Sequence, residues 1–217
     1  MKSRLILLAV CLTLAAVPAT AQTLYSSGPT DGNWYAWTIN FGFIVSDAFT
    51  MQSSTVTGAD FSMWLFPGDT LTSAELSITS GENGGTSYFD QTVNFTQSNC
   101  ASNTYGYNVC RESTTFNGPY LNSGTYWLNL QNANVPSGDP IYWDQNIGPH
   151  VNLNSASENT LGSIPAETFT LLGGTTTCAG GNCDASSTAP EPTSLVLLGS
   201  GGLALFAPLI ALRRKLF

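Results

Sequence analysis

The side chains that could do chemistry in this chain are carboxylates and aromatic rings, and the usual catalytic partners are scarce. The one histidine, His150, follows a proline in a Gly-Pro-His-Val turn. Hydrolysis by a Ser-His-Asp or Cys-His arrangement needs a histidine beside its nucleophile, and no serine sits in a G-x-S-x-G motif. Phosphate-loop and dinucleotide-binding fingerprints are absent too. The sequence therefore excludes these enzyme classes, and also hydrolysis at a metal held by two or three histidines.

Glycoside hydrolysis is a further alternative, because it needs only two carboxylates a few ångströms apart. Thirteen acidic residues lie between Gln22 and Ala189. Most of them adjoin turn residues, where capping and turn hydrogen bonds explain them. No pair is marked by its surroundings, so we predict no catalytic residue and regard a glycan-active hydrolase as the third hypothesis.

Aromatic side chains favour carbohydrate binding more than catalysis, because sugar rings stack on exposed aromatic rings. Trp127 alternates with Tyr126 and Leu128, so it lies on the opposite face of its predicted strand. It is either exposed to solvent or evidence that both faces are covered. The alternative for the whole set is that these rings fill the core. The candidate glycan-binding residues are Trp34, Trp64, Trp127, Tyr142 and Trp143.

Calcium is the one ion that the loop residues suit. Asp139, Asp144 and Asn146 offer carboxylate and amide oxygens close together in the sequence, and such oxygens are typical calcium ligands. No Asp-x-Asp-x-Asp-Gly loop occurs. We therefore predict no cofactor, with these three residues as weak candidates for a structural calcium ion.

The cysteines of the body form two close pairs, Cys100 with Cys110 and Cys178 with Cys183. Their spacing, without histidine, does not resemble a zinc site. Three connectivities are possible in principle, and pairing within each close pair is the simplest. We predict two local disulfides in an oxidising compartment.

The elements that must position these side chains are short β-strands. Tyr35–Val45 alternates aromatic or aliphatic residues with smaller ones, which predicts one long strand. Residues 98–111 predict a stapled loop or ribbon around the first cysteine pair. No window shows a helical period, so we predict an all-β fold, a jelly-roll-like β-sandwich over residues 22–172. The other predicted strands are Phe61–Phe66, Leu71–Thr79, Ser87–Gln97, Thr125–Leu130, Ile141–Asp144 and Glu167–Leu172.

Both ends of the chain have the composition of targeting segments. Met1–Arg4 is basic, Leu5–Val17 is apolar, and Ala19-Thr20-Ala21 is a typical cleavage site, which predicts a signal peptide over residues 1–21. Residues 173–189 are rich in Gly, Ser and Thr and predict a stalk. The uncharged run Leu195–Leu212 would reach about 27 Å as a helix, which predicts one transmembrane helix.

The tail over residues 190–217 resembles the PEP-CTERM sorting signal. Its three parts are Pro190-Glu191-Pro192, the apolar run, and the basic cluster Arg213-Arg214-Lys215, which the positive-inside rule leaves in the cytoplasm. The resemblance implies recognition by an exosortase, a membrane transpeptidase that removes the tail. It also implies that the protein comes from a bacterium that makes exopolysaccharide.

A second resemblance lies in the body. Residues 121–128, Leu-Asn-Ser-Gly-Thr-Tyr-Trp-Leu, followed by Tyr142-Trp143-Asp144, resemble a block of PEP-CTERM ectodomains whose activity is unassigned. This block supports a sandwich and implies no catalytic residue.

Charge separates the body from the two ends. Arg111 is the only cation between Gln22 and Ala189, and thirteen acids give that segment a net charge of −12. Such a segment cannot neutralise phosphates, which excludes nucleic acid and attraction to anionic lipid surfaces. We predict an exported, membrane-anchored intermediate that becomes a non-catalytic protein of the cell surface or extracellular matrix. The alternative is a carbohydrate-binding module for exopolysaccharide.

Overall fold

A computed structural model of the chain describes residues 21–148 and 155–174, and within these residues the fold is all β. All of them belong to one compact unit, Ala21–Ser186. The described residues contain no helix, so none that is long and apolar enough to cross a membrane. The strands are β1 Gln22–Ser26, β2 Ala36–Thr38, β3 Ile44–Met51, β4 Ser54–Leu65, β5 Ser73–Gly81, β6 Gly84–Asn94, β7 Thr96–Ser102, β8 Asn108–Thr115, β9 Tyr120–Leu121, β10 Gly124–Asn134, β11 Tyr142–Asp144, β12 Ala156–Glu158, β13 Gly162–Ile164 and β14 Phe169–Gly174.

The strands form two antiparallel sheets that pack face to face as a β-sandwich, as predicted. In the first sheet the order is β1-β14-β4-β11-β2, and β4 also pairs with β8 and β9 while β8 pairs with β7. In the second sheet the order is β13-β12-β3-β10-β5-β6. Four pairs of neighbouring strands are nested along the chain, each pair enclosing the one before it: β5 with β6, β4 with β8, β3 with β10, and β1 with β14.

The core lies between the sheets and follows from period-two alternation along the strands. Leu76 and Ile78 of β5, Leu128 and Leu130 of β10, and Met63 of β4 are fully buried. Each such side chain contributes about 1.5–3 kcal/mol by leaving water. Alternate positions on the same strands face outward, and the outer face of the first sheet carries the candidate site.

The prediction of one strand over Tyr35–Val45 is wrong, because a tight turn divides it into β2 and β3. Gly42 has a φ of 90° and Phe41 a φ of 59°, in the left-handed region that glycine adopts without strain. The amide of Phe43 donates to the carbonyl of Asn40 at 3.1 Å. Alternation continues across the turn because Phe41 and Phe43 are exposed rings, not core residues.

Several shorter differences follow from weak local signals. Strands β1, β9, β12 and β13 were not predicted, since they are short and mostly polar. The predicted stalk begins too early, because residues 173 and 174 belong to β14. The signal peptide, the remaining stalk, His150, Cys178, Cys183 and the sorting tail lie outside the described residues.

Candidate functional site

The five aromatic candidates do not form one site. Trp143 is fully buried and packs in the core against Phe61 and Phe169. Trp127 is half-buried on the outer face of the second sheet, where it pairs with Thr79 and Ala48 across the strands. Trp34 is 69% exposed in the loop before β2. Only Trp64 and Tyr142 come together.

Trp64 and Tyr142 belong to a run of rings on the first sheet, which we call the aromatic ladder (Trp64, Phe66, Tyr105, Tyr107 and Tyr142). The ring of Tyr105 stacks on Trp64 with centroids 5.9 Å apart. Tyr107 lies 5.8 Å from Trp64, 4.9 Å from Phe66 and 5.6 Å from Tyr142. Tyr105 covers Trp64, which is only 6% exposed, and is itself 62% exposed. The ladder therefore presents aromatic surface to solvent.

Two neighbouring strands place one half of the ladder. Trp64 of β4 and Tyr142 of β11 are cross-strand partners, and both point outward because Met63 and Trp143 point inward. Burial, then the hydrogen bond to Tyr107 and its charge, raise the pKa of Tyr142 to about 12. Its hydroxyl is therefore protonated at ordinary pH and can donate a hydrogen bond.

The β7–β8 ribbon carries the other half. The amide of Asn103 donates to the carbonyl of Tyr107 at 2.8 Å, and the amides of Tyr105 and Tyr107 both donate to the Asn103 side chain at 3.0 Å. A disulfide joins Cys100 to Cys110 at the base of this turn, which confirms one of the two predicted pairings. Tyr105 and Tyr107 thus stand on a cross-linked ribbon.

Asp144 holds the indole of Trp64 in place through a hydrogen bond. Its Oδ1 accepts the indole N–H at 2.5 Å and the amide of Gly32 at 3.0 Å, while Oδ2 accepts the amide of Asp31 and the hydroxyl of Thr30. Burial raises the pKa of Asp144 to about 6, and the hydrogen bonds from Thr30, Trp64, Gly32 and Asp31 oppose this rise. Asp144 is therefore a positioning residue for the ladder.

These contacts argue against the calcium candidates predicted from the sequence. Donors already occupy both oxygens of Asp144, and Asn146 Oδ1 accepts the amide of Gly148 at 2.9 Å. Asp139 contacts Asn40 through its backbone carbonyl in a separate loop. Among the residues that the structure describes, no group of three or more His, Cys, Asp or Glu side chains is arranged to hold a metal ion.

A pocket of about 530 Å³ lies beside the ladder on the same outer face. Its polar lining includes the hydroxyls of Thr30, Ser62, Thr168 and Thr170. The Thr30 hydroxyl donates to Asp144 and therefore accepts from Ser62 at 2.8 Å, so both hydroxyl oxygens can still accept a hydrogen bond from a ligand. The volume falls within the usual range for small-molecule sites, about 300–1,000 Å³.

An ion pair closes one side of this pocket. Arg111, the only cation of the body, pairs with Asp60, which also accepts the hydroxyl of Ser113 at 2.6 Å. Because Arg111 and Ser62 are cross-strand partners and Val109 is opposite Trp64, the pocket and the ladder are neighbours along β4 and β8. Aromatic faces therefore adjoin a polar surface that can hydrogen-bond hydroxyl groups.

A smaller pocket of about 220 Å³ opens on the second sheet, lined in part by Ser77, Asn129 and Gln131. Its polar groups are largely bonded to one another: Asn129 donates to Thr79 at 2.9 Å, and Gln131 donates to Glu75 at 2.7 Å. Trp127 does not line it. This pocket is the weaker candidate for a binding site.

No family model matches the chain, and no curated protein is significantly similar to it in sequence. Function is therefore inferred from the site itself. Tyr105 and Tyr107 were missed among the candidates, although the Tyr-Gly-Tyr turn between two cysteines was a signal for exposed rings on a ribbon.

Proposed function

We propose that this is an exported, non-catalytic surface protein whose body binds polysaccharide on the outer face of its first sheet. In this proposal the body is a jelly roll. The nested strand pairs support a jelly roll, because one long hairpin that is rolled into two sheets pairs its strands in that way. The observation that carries the function is the aromatic ladder beside a hydroxyl-lined pocket.

The chemistry of a sugar matches both parts of the site. The C–H face of a pyranose ring stacks on an aromatic ring such as Tyr105, and its hydroxyls form hydrogen bonds with Thr30, Ser62 or Thr168. The described groups of the pocket include one ion pair and several neutral hydroxyls. A site of this kind binds by shape and hydrogen bonding rather than by charge.

Charge narrows the class of glycan. The body carries a net charge of −12, so an acidic polysaccharide would be repelled over the whole surface. We therefore propose a neutral polysaccharide as the ligand. A neutral exopolysaccharide of the producing cell satisfies this requirement.

Affinity electrophoresis tests this function. The oxidised full chain, in a nonionic detergent, is run through gels that contain neutral or acidic polysaccharides. We expect retardation by a neutral glycan and a loss of about tenfold in affinity for Tyr105→Ala, which corresponds to about 1.4 kcal/mol. Tyr120→Ala is the matched control, since Tyr120 is exposed on β9 outside the ladder. Equal retardation of both variants would count against the ladder as the glycan-binding surface.

The route to the surface is proposed from the two ends of the chain alone. The signal peptide over residues 1–21 exports the body, and the tail over residues 190–217 holds it in the membrane through residues 195–212. An exosortase-like transpeptidase then recognises Pro190-Glu191-Pro192 and releases the body to the surface or matrix. The motif and the basic cluster Arg213-Arg214-Lys215 support this proposal.

The mass of the surface form tests the tail. In cells that contain the transpeptidase, we expect a product that lacks the tail. Glu191→Gln should leave the chain unprocessed in the membrane, because the acidic group of the motif is lost. Glu158→Gln, a change in the body, is the control and should be processed normally. An identical surface mass for Glu191→Gln and the parent would overturn the sorting proposal.

A further inference from the structure

A second group of polar side chains lies inside the sandwich, away from the aromatic ladder. Asp47 and Glu167 are fully buried and Gln145 is 4% exposed. Asp47 Oδ1, Gln145 Oε1, both carboxylate oxygens of Glu167 and the hydroxyl of Ser155 are buried without a hydrogen-bond partner. We call these four residues the buried oxygen cluster. Such groups are costly to bury unless something satisfies them.

The two sheets bring these residues together. Asp47 lies on β3 between the core residues Val45 and Phe49, so it faces inward from the second sheet. Gln145 and Glu167 are bridge partners at the ends of β11 and β14, and directly opposite residues have Cβ atoms about 4.5–5.5 Å apart. The amide of Glu167 donates to Asp47 Oδ2 at 2.6 Å.

Ser155 reaches the cluster beside Asp47. Its carbonyl accepts the amide of Ala48 at 2.9 Å. Burial raises the pKa of Asp47 to about 7, while the Glu167 amide, the nearby Ser155 hydroxyl and the Ala48 amide lower it. The Ser155 hydroxyl influences that pKa without reaching hydrogen-bonding geometry. Residues that carry unpartnered oxygens therefore lie next to one another from both sheets.

Among the residues that the structure describes, no basic side chain compensates the two carboxylates. Arg111, the only cation of the body, is engaged with Asp60 on the outer face. Burial, and then the charges of Asp47 and Asp144, raise the pKa of Glu167 well above its ordinary value. Burial, and then the charge of Asp47, raise the pKa of Tyr25 on β1 to about 12. The described surroundings of the cluster thus contain acidic groups and no basic group.

We propose that the buried oxygen cluster binds one calcium ion. Asp47 Oδ1, the Gln145 amide oxygen, the Glu167 carboxylate and the Ser155 hydroxyl supply oxygen ligands only, which suits a hard cation and not zinc. The double charge of the ion balances the two carboxylates. The ion joins β3 of one sheet to the ends of β11 and β14 of the other, so its role is structural and independent of glycan binding.

Calorimetry and thermal unfolding test this proposal with calcium alone as the probe. The full chain is stripped with EDTA, and CaCl₂ is titrated into it. We expect one site per chain, and a melting temperature about 5–10 °C higher when calcium is 100-fold above its dissociation constant. MgCl₂ should give a smaller shift, because magnesium requires a stricter octahedral geometry.

Two variants separate ligation from folding. Glu167→Gln keeps the shape and removes one charge, so the chain should fold in EDTA and lose the calcium-dependent shift. Glu112→Gln is the matched control: Glu112 is also fully buried with both oxygens unpartnered, but on β8. Its calcium response should equal that of the parent. Equal melting temperatures of the parent in calcium and in EDTA would show that a proton neutralises the cluster, and would overturn the proposal. An unchanged calcium response in Glu167→Gln would overturn it too.

Discussion

At the scale of the residue, the most unusual group outside the buried oxygen cluster is Glu112. It faces the core from β8, opposite Phe61 on β4, and both of its carboxylate oxygens are buried without a partner. Burial raises the pKa of Glu112 to about 8. The folded protein therefore holds a neutral carboxyl group there at neutral pH.

This gives a prediction about pH and stability. The pKa of Glu112 in the folded protein lies above the unfolded value of about 4.3. The contribution of its protonated carboxyl group to the stability of the fold is therefore fully present below pH about 4.3 and is lost as the pH rises through about 8. Glu112→Gln cannot ionise, so it should be more stable than the parent at pH 9, with a smaller difference at pH 5. Urea unfolding at both pH values, in calcium, measures this. A difference that does not change with pH would contradict the assignment.

Residue types alone could not have located these acids. Asp47, Glu112 and Glu167 follow the same alternation as apolar core residues, but a carboxylate in a strand pattern ordinarily predicts an outward position. Asp144 was a candidate because of its carboxylate oxygens, and in the structure both of these oxygens accept hydrogen bonds. The hydrogen-bond donors around it come from the folded loop at Thr30–Gly32 and from the indole of Trp64, which are distant from Asp144 in sequence.

At the scale of the element, the β7–β8 ribbon carries both the disulfide and two rings of the aromatic ladder. The Cys100–Cys110 disulfide lies at the base of the turn that carries Tyr105 and Tyr107. Reduction, or the double change Cys100→Ser and Cys110→Ser, should lower the free energy of unfolding by about 2–3 kcal/mol through loop-closure entropy. It should also weaken glycan binding, because two rings of the ladder lose their support.

Thermal unfolding and affinity electrophoresis with and without dithiothreitol measure both effects. The serine variant is the control: it keeps the predicted pair Cys178 and Cys183, which lies outside the β7–β8 ribbon, so the reductant should no longer change its affinity for glycan. Unchanged affinity after reduction would show that the ribbon does not position the ladder.

Alternation along the sequence predicted some of the strands and missed others. Alternation located β4, β5, β6 and β10 because each buries one face. It failed at Asn40–Gly42, where exposed aromatic rings continue the alternation through a turn. It also failed at β12 and β13, which are held by pairing, β12 with β3 and β13 with β12, rather than by a run of apolar residues. The stacking of Tyr105 on Trp64 joins residues distant in sequence, so no local pattern predicts it.

At the scale of the whole molecule, composition and alternation were enough to predict a β-sandwich. The positions of the two surfaces were not predictable. They depend on which strands become neighbours, as when β11 brings Tyr142 beside Trp64. We propose three separate parts in this chain: ends that direct its export and sorting, an interior cation site that joins the sheets, and an outer aromatic face that binds glycan.

The central claim is that the body binds a neutral polysaccharide without cleaving it. The most direct test is size-exclusion chromatography with light scattering of the full chain mixed with the glycan that retards it most. We expect co-elution of protein and glycan, loss of co-elution for Tyr105→Ala but not Trp127→Ala, and a glycan mass that stays constant over a day. A falling glycan mass would make the protein a hydrolase, and separate elution with every neutral glycan would contradict the claim of binding.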